Sequence, residues 1–241
     1  IGVGVGSRGI SNQPVMVRIL IDHLKAQGAH PFIFPAMGSH GGATAEGQQD
    51  LLARMGISEQ TMGAPVRATM DVVDMGTAEN GLTAWFDVYA AAAAGIGLVN
   101  RIKPHVSFRG RYESGLMKMI AIGLGKQKGA EACHQLGMER MLGNIEAIGR
   151  TALSTGKILF GIALLENAYH ETCRIEAIPA DRIEEEEVAL QAEAKRLEPR
   201  ILFDRLDVLI IDEIGTNISG TGFDNNAVGR YHLPHMTSAG P

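Results

Sequence analysis

The sequence has little of what several classes of protein require. Its two cysteines, Cys133 and Cys173, are too few for a disulfide framework and favour a reducing compartment. The longest apolar run, Tyr89 to Val99, falls short of the ~20 residues that a membrane-spanning helix needs, and no signal-like segment opens the chain. The net charge of −5 gives no reason to expect a broad polyanion-binding surface. We therefore expect a cytoplasmic protein that binds neither membranes nor nucleic acid.

Common metal and nucleophile motifs are also missing. The sequence has no HExxH helix, no CxxC pair, no Walker lysine motif and no aspartate pattern of the EF-hand type. No nucleophile elbow marks a serine for a Ser-His-Asp triad. A bound metal would therefore have to share a single histidine with a ligand that is not protein.

The composition is that of an ordinary globular protein, with 45% hydrophobic and 20% charged residues among 241. This length favours one large domain, or one domain and part of a second. We expect an N-terminal α/β cofactor-binding domain at residues 1–155, part of a second α/β domain at residues 156–230, and an irregular or truncated tail at residues 231–241. The chain opens on Ile1 and a strand-like run, so both ends look cut.

Strand and helix signals alternate along the first half of the chain. Ile1 to Gly6 alternates glycine with apolar residues, and Val15 to Ala26 is an amphipathic stretch opened by a proline. The succession repeats as an apolar run at His30 to Met37 and a helix at about Ala45 to Met55. It predicts an α/β fold, a Rossmann-like, mainly parallel sheet with helices on both faces, plus part of a second α/β domain. Ligands of such sheets bind beyond the carboxyl ends of the strands.

The second half predicts a hairpin around Asn80-Gly81, followed by further helices and strands. The expected helices are Tyr89 to Ala94, Lys128 to Met141, Ile145 to Ser154 and an acidic one from Asp181 to Leu197. The expected strands are Ile96 to Asn100, Ile158 to Leu165, Thr172 to Ile178 and Val208 to Asp212. We interpret Glu184 to Glu187 as a solvent-exposed face. The last strand reads as buried and leads into the glycine-rich loop Gly215 to Gly222.

Polar loops follow the first two predicted strands. In the first loop, backbone amides, Ser7 and Arg8 either hold a phosphate or form a tight turn with an exposed arginine. In the second, His40 is either a base that faces a bound anion or a loop residue that caps backbone groups. Thr44 is a helix N-cap, a phosphate ligand, or both.

A third segment, from Asn100 to Met119, is rich in cationic residues and contains His105. Lys118 follows in an apolar stretch, where a buried ammonium is costly unless its pKa falls or its charge is matched. It is either a covalent attachment site or a lysine that reaches out to solvent from a helix start. His134, in the next predicted helix, is either a surface residue or a ligand.

Together these motifs resemble the lactate racemase family that depends on a nickel-pincer nucleotide. The matching segments are GVGSRGI, PAMGSHGGAT, NRIKPHVSFRGRYESGLMKMIAIGLGK with the following His134, and DEIGTNISGTGFD. They occur in the expected order, and the resemblance extends from about Ile1 to Arg230.

The resemblance implies a role for each motif. In that family a pyridinium mononucleotide with two sulfur arms holds nickel, is tethered to a lysine that matches Lys118, and has its nickel completed by a histidine that matches His134. Two opposed histidine bases match His40 and His105. The residues that contact the cofactor phosphate match Arg8 and Thr44, and Ser7 lies in the same loop as Arg8.

Some positions depart from the lactate branch of the family. A glycine of the first loop replaces an aspartate, and Thr216 replaces a frequent lysine. The family's substrate-binding lysine matches Lys195 only loosely, with Gln191 nearby. These departures indicate a divergent branch with a different 2-hydroxy acid substrate, or lost activity.

The resulting hypothesis is an isomerase, a racemase or epimerase of a 2-hydroxy acid that works by hydride transfer. Its partners would be that substrate and the enzymes that synthesise the cofactor. The candidates for binding the substrate carboxylate are Lys195, Arg101, Lys103 and Arg109. The alternative is a noncatalytic protein of the same fold that binds a nucleotide or phosphometabolite.

Overall fold

The computed structural model describes residues 1–7, 9–135, 137–215 and 222–231. Two predicted site positions, Arg8 and Thr216, lie outside the described residues, as do most of the glycine-rich loop and all of the predicted tail except Tyr231.

Seven strands and nine α-helices are formed by the described residues. The strands are β1 (Gly2–Val5), β2 (Phe32–Pro35), β3 (Val72–Thr77), β4 (Thr83–Asp87), β5 (Ile96–Arg101), β6 (Ile158–Glu166) and β7 (Thr172–Pro179). The helices are α1 (Gln13–Ala26), α2 (Ala45–Arg54), α3 (Glu59–Met62), α4 (Val88–Ala92), α5 (Leu116–Lys118), α6 (Lys126–His134), α7 (Met141–Ser154), α8 (Ile183–Leu197) and α9 (Asn225–Val228). Short 3-10 turns precede α2, α7 and α8, and a π-helical segment, Met119–Gly123, continues α5.

The main sheet has the order β2-β1-β5-β6-β7. Its pairings are parallel except for the antiparallel β6–β7 pair, and β3 and β4 form a separate antiparallel hairpin. The predicted α/β fold with a mainly parallel sheet is therefore confirmed, as is the predicted hairpin. Because β2, β1 and β5 run in parallel, the loops that follow them leave the sheet at one edge.

The glycine alternation of β1 has a packing cause. Val3 and Val5 point to the face of the sheet that α1 and α2 cover. On the other face, a Cβ added to Gly4 would lie 2.7 Å from Leu98 and 2.9 Å from Phe34, so only glycine leaves room for those side chains. That second face carries the larger apolar core, which α7 and α8 complete. Helices thus cover both faces, as predicted.

Three predicted features are wrong. The helix predicted from Lys128 to Met141 is interrupted, because Gly137 has a φ of +82° between α6 and the turn before α7. The segment predicted as a buried strand, Val208 to Asp212, has no strand partner among the described residues and is exposed. The run predicted as a solvent-exposed face includes Glu187, which is fully buried. A run of four residues spans a full turn of an α-helix, so one of the four must face the core. That residue is Glu187, which lies on the buried side of α8 with Leu190.

The sheet is continuous across the boundary expected between residues 155 and 156, because β6 pairs with β5. The division into two domains stays a prediction. Within the described ranges, none of the helices combines the length and apolar composition that crossing a membrane requires.

Candidate functional site

Contacts between loops gather the candidate residues at the carboxyl edge of the sheet. A Cβ added to Gly6, just after β1, would lie 3.0 Å from the side chain of Asn100 at the end of β5. Asn100 Nδ2 donates to the carbonyl of Gly115 at 2.7 Å, immediately before the helix that carries Lys118. On the other side, the amide of Gly38 donates to Gly123 at 3.4 Å. The loops that carry Ser7, His40 and Lys118 are therefore packed together.

His40 is exposed at the end of the β2 loop, and its Nδ1 shares a hydrogen bond with Ser7 Oγ. This contact links two of the predicted site loops directly. Thr44 is the N-cap of α2, since its Oγ1 accepts from the amide of Gly47 at 3.0 Å. The N-cap reading of Thr44 is thus confirmed, while phosphate contacts of Ser7 and Thr44 stay predictions.

The ring of His105 is neutral and strongly perturbed. Burial is the main cause that lowers its pKa to about 2, and the positive charges of Lys118, Lys103 and Arg109, with that of a protonated His134, lower it further. Its Nδ1 accepts from the amide of Ser107 at 3.1 Å, so the proton of the neutral ring lies on Nε2. The ring stacks on Phe108 with centroids 4.4 Å apart. Three cationic side chains and the His134 ring are therefore close enough to His105 to act on its charge.

Glu113 is the buried anion that organises the His105 loop. One carboxylate oxygen accepts from the amide of His105 at 2.9 Å and lies 3.6 Å from Arg109. The other accepts from the amide of Gly110 at 3.2 Å and lies 2.6 Å from the ammonium of Lys195. The carboxylate is fully buried, so these two amide donors and two cations compensate for its lost hydration.

The four cations predicted to bind substrate differ in how firmly they are already paired. Arg101 forms an ion pair with Glu166, and Lys195 pairs with Glu113. Arg109 donates to Tyr231 at 2.7 Å in addition to its contact with Glu113. Lys103 has the longest ion-pair contact of the four, 4.0 Å to Asp224. It lines a pocket of about 260 Å³ together with Arg101.

Lys118 is partly buried rather than fully buried at the end of α5. Its ammonium lies 5.7 Å from the centroid of the Phe108 ring, the same ring that stacks on His105. Its charge also acts on Cys133 in α6, where it opposes the burial that raises the pKa of the thiol to about 12. The π-helical segment begins directly after Lys118, and such segments are common at functional sites.

His134 is exposed at the end of α6 and has a defined tautomer. Its Nδ1 lies 2.5 Å from the carbonyl oxygen of Ala130, one turn earlier. Because a carbonyl only accepts, Nδ1 carries a proton, and in the neutral ring the lone pair is therefore on Nε2. His134 lines an open pocket of about 540 Å³ with Trp85 and Lys128.

Comparison with known proteins relates the fold to solved structures. No protein-family model and no curated protein matches the chain. The structure is similar to the lactate racemase apoprotein from Thermoanaerobacterium thermosaccharolyticum, with a TM-score of 0.56 and 16% identity over 78% of this chain and 48% of that one. It is also similar to a structural genomics target from Thermotoga maritima, with a TM-score of 0.58 and 14% identity over 85% and 56% of the two chains. At these identities the likeness shows a shared fold, and this chain spans about half the length of either neighbour.

Several residues that shape the site escaped sequence analysis. Glu113 gave a weak signal, a carboxylate inside a basic loop, which becomes meaningful only once Lys195 is known to lie beside it. Glu187 accepts from the amide of Met117 at 2.8 Å and so caps the helix that carries Lys118. The fully buried lysine of this region is Lys126, whereas the sequence pointed to Lys118. A local apolar pattern does not show which of two nearby lysines faces the core.

Proposed function

We propose that the chain is a racemase or epimerase of a 2-hydroxy acid that uses a nickel-pincer nucleotide and belongs to the lactate racemase family. The observation that carries the proposal is the neighbourhood of His105, where Lys118, the His134 ring and further cationic side chains lie close enough to act on one histidine. The fold shared with the lactate racemase apoprotein supports it.

The donor set of His134 fits a metal that is held mainly by a cofactor. Metal-binding histidines commonly donate their second ring N–H to a carbonyl, as His134 does to Ala130. No group of three or more His, Cys, Asp or Glu side chains suited to a metal occurs among the described residues. A nickel ion at His134 would therefore take its other donors from the carbon and sulfur atoms of the nucleotide, as the family resemblance implies.

Lys118 suits a covalent tether better than Lys126. The Lys126 ammonium is fully buried and lies against Asp87, Gln48 and the carbonyl of Pro35. Lys118 is partly exposed, its ammonium lies 5.7 Å from the centroid of the Phe108 ring, and its charge acts on Cys133 in α6. Attachment needs an amine that the incoming group can reach.

The cationic side chains near His105 favour an anionic ligand. We assign the substrate carboxylate to Lys103, because its existing ion pair is longer than those of the other three candidates. Ser7 and Thr44, and Arg8 from the same loop as Ser7, are assigned to the cofactor phosphate. An N-terminal helix end such as that of α2 is suited to an anion.

His40 and His105 would serve as the two bases. When bound, the nucleotide supplies a group that accepts hydride from the substrate carbon and returns it to either face. One histidine would take the hydroxyl proton as hydride leaves the substrate carbon, and the other would give a proton to the carbonyl oxygen as hydride returns to the opposite face, so each residue acts as base in one direction and acid in the other. A pKa of about 2 makes His105 a poor base in the free protein. Binding of an anion beside Lys103, and loss of the Lys118 charge on covalent attachment, would raise that pKa.

The deciding experiment is production of the chain together with the cofactor-synthesis enzymes, followed by intact-mass and nickel measurements. The wild-type protein should carry nickel and a covalent nucleotide adduct, and Lys118→Ala should lose the adduct. Lys25→Ala is the control, because Lys25 is an exposed lysine of α1 whose ammonium donates to the carbonyl of Gly63. An adduct that persists in Lys118→Ala, or a metal-free wild type that binds nucleotides noncovalently, contradicts the proposal.

A further inference from the structure

A buried ion pair lies behind the His40 loop. The ammonium of Lys126 is fully buried, 3.0 Å from Asp87 Oδ2 and 3.1 Å from Gln48 Oε1, and it also donates to the carbonyl of Pro35. Asp87 is equally buried and caps α4 through its other oxygen, which accepts from the amide of Tyr89 at 2.8 Å. The ammonium therefore has two hydrogen-bond acceptors and one ion-pair partner, Asp87.

Gln48 connects the buried ion pair to the loop that carries His40. Its side chain is fully buried, and its Nε2 donates to the carbonyls of Gly38 at 2.8 Å and His40 at 3.1 Å. An ammonium can only donate, so the amide oxygen of Gln48 must face Lys126 and both N–H groups must face the loop. The buried charge thus fixes which way the amide points.

The backbone around these residues has unusual geometry. Lys126 has a φ of +53°, a left-handed conformation that is uncommon outside glycine, and Gly38 has a φ of +60°. A buried ion pair contributes little to stability compared with apolar residues of the same size, so its retention points to a role in specifying one conformation. The conformation specified here is that of the loop from Gly38 to His40.

We propose that Gln48, oriented by the buried Lys126–Asp87 pair, is a positioning residue for His40. Gln48 holds the His40 main chain through its carbonyl, while Ser7 holds the imidazole through Nδ1. Two attachment points fix both the position and the rotation of the ring. The catalytic meaning of this arrangement rests on the proposed function, in which His40 is a base.

The test measures the loop in the free, full-length chain by NMR, so it needs neither cofactor nor activity. In Gln48→Met, the amide of Ala43, which donates to Ser39 at 3.1 Å, should exchange with solvent about tenfold faster or more, because local opening becomes easier. The imidazole resonances of His40 should shift, and amides of β1 and β5 should keep their exchange rates. Gln13→Met is the matched control, since Gln13 is a buried helical glutamine whose amide has no hydrogen-bond partner in the described part of the chain.

Gln48→Glu keeps the size of the side chain and the contact with Lys126 but removes both donors, so it serves if Gln48→Met does not fold. Loop exchange and His40 resonances that match the wild type in a folded Gln48→Glu variant would overturn the proposal. In cofactor-loaded protein, either variant should lower kcat about tenfold or more with KM unchanged. The two hypotheses can fail separately. If the variants alter the His40 loop but the wild-type chain binds no nickel nucleotide, the positioning role is supported and only the proposed function is contradicted.

Discussion

Replacing Glu113 with glutamine should destabilise the protein far more than replacing a surface glutamate with a similar number of ionic contacts. Glutamine keeps the size of the side chain but turns one acceptor oxygen into a donor. That donor would face the His105 amide, Arg109, the Gly110 amide or Lys195, all of which are donors themselves. At least one buried donor would then be left without a partner.

The magnitude follows from burial. Removing one member of a buried ion pair typically costs about 3–5 kcal/mol. Glu113 is 0% exposed, but the Lys195 and Arg109 side chains are 41% and 32% exposed and can regain water, so the expected loss is smaller. We expect the free energy of unfolding to fall by about 2–3 kcal/mol, which corresponds to a lower Tm by about 4–12 °C for a chain of this size.

Glu184→Gln is the matched control. Glu184 also contacts two arginines, Arg150 at 2.5 Å and Arg111 at 3.5 Å, but its side chain is 32% exposed and those of the arginines 45% and 51%. Such exposed pairs contribute about 0.2–1 kcal/mol. Urea unfolding followed by the fluorescence of Trp85, the single tryptophan, would measure both losses at equal m values. Equal losses of unfolding free energy in the two variants would refute the prediction that the burial of Glu113 sets the size of the loss.

Two further predictions concern titration. In the free protein, Lys118→Met should raise the pKa of His105 from about 2, because one positive charge near the ring is removed. The pKa should stay below 6.5, because the ring is still buried. NMR titration of the ring measures this, and an unchanged pKa would contradict the prediction. Burial raises the pKa of Glu187 from 4.5 to about 8, so the folded state holds a proton that the unfolded state releases between those values. The free energy of unfolding should therefore decrease as pH rises from 4.5 to 8, and urea unfolding across that range should show that Glu187→Gln removes this contribution. If the free energy of unfolding changed with pH in the same way in wild type and Glu187→Gln, the raised pKa of Glu187 would be excluded as a cause.

The periodic parts of the fold could be predicted from the sequence because their signals are local. The alternation in β1 and the Asn-Gly turn of the hairpin specify elements without reference to distant residues. The segment Val208 to Asp212 shows the limit of this reasoning. Its composition suits a buried strand, but a strand forms only beside a partner, and sequence does not show whether one is present.

For the candidate site, the loops were predictable and their supports were not. Ser7 and His40 follow parallel strands, and topology alone brings such loops to one edge. The role of Glu113, by contrast, depends on its ion pair with Lys195, a residue far away in the sequence. Glu187 likewise acts on the amide of Met117 from the distant helix α8. Such buried carboxylates read as ordinary surface charges until the packing of helix and loop is known.

The surplus of positive charge around His105 links proton binding to ligand binding at this edge of the sheet. Charges that lower the pKa of the ring also attract an anion, and an anion bound beside Lys103 would weaken their effect on the ring. Because linkage is reciprocal, an anion that raises the pKa of His105 must bind more tightly when His105 is protonated. The free protein therefore holds the histidine neutral, and ligand binding makes it a better proton acceptor. This coupling moves the pKa of His105 upward, the direction that its proposed role as a base requires.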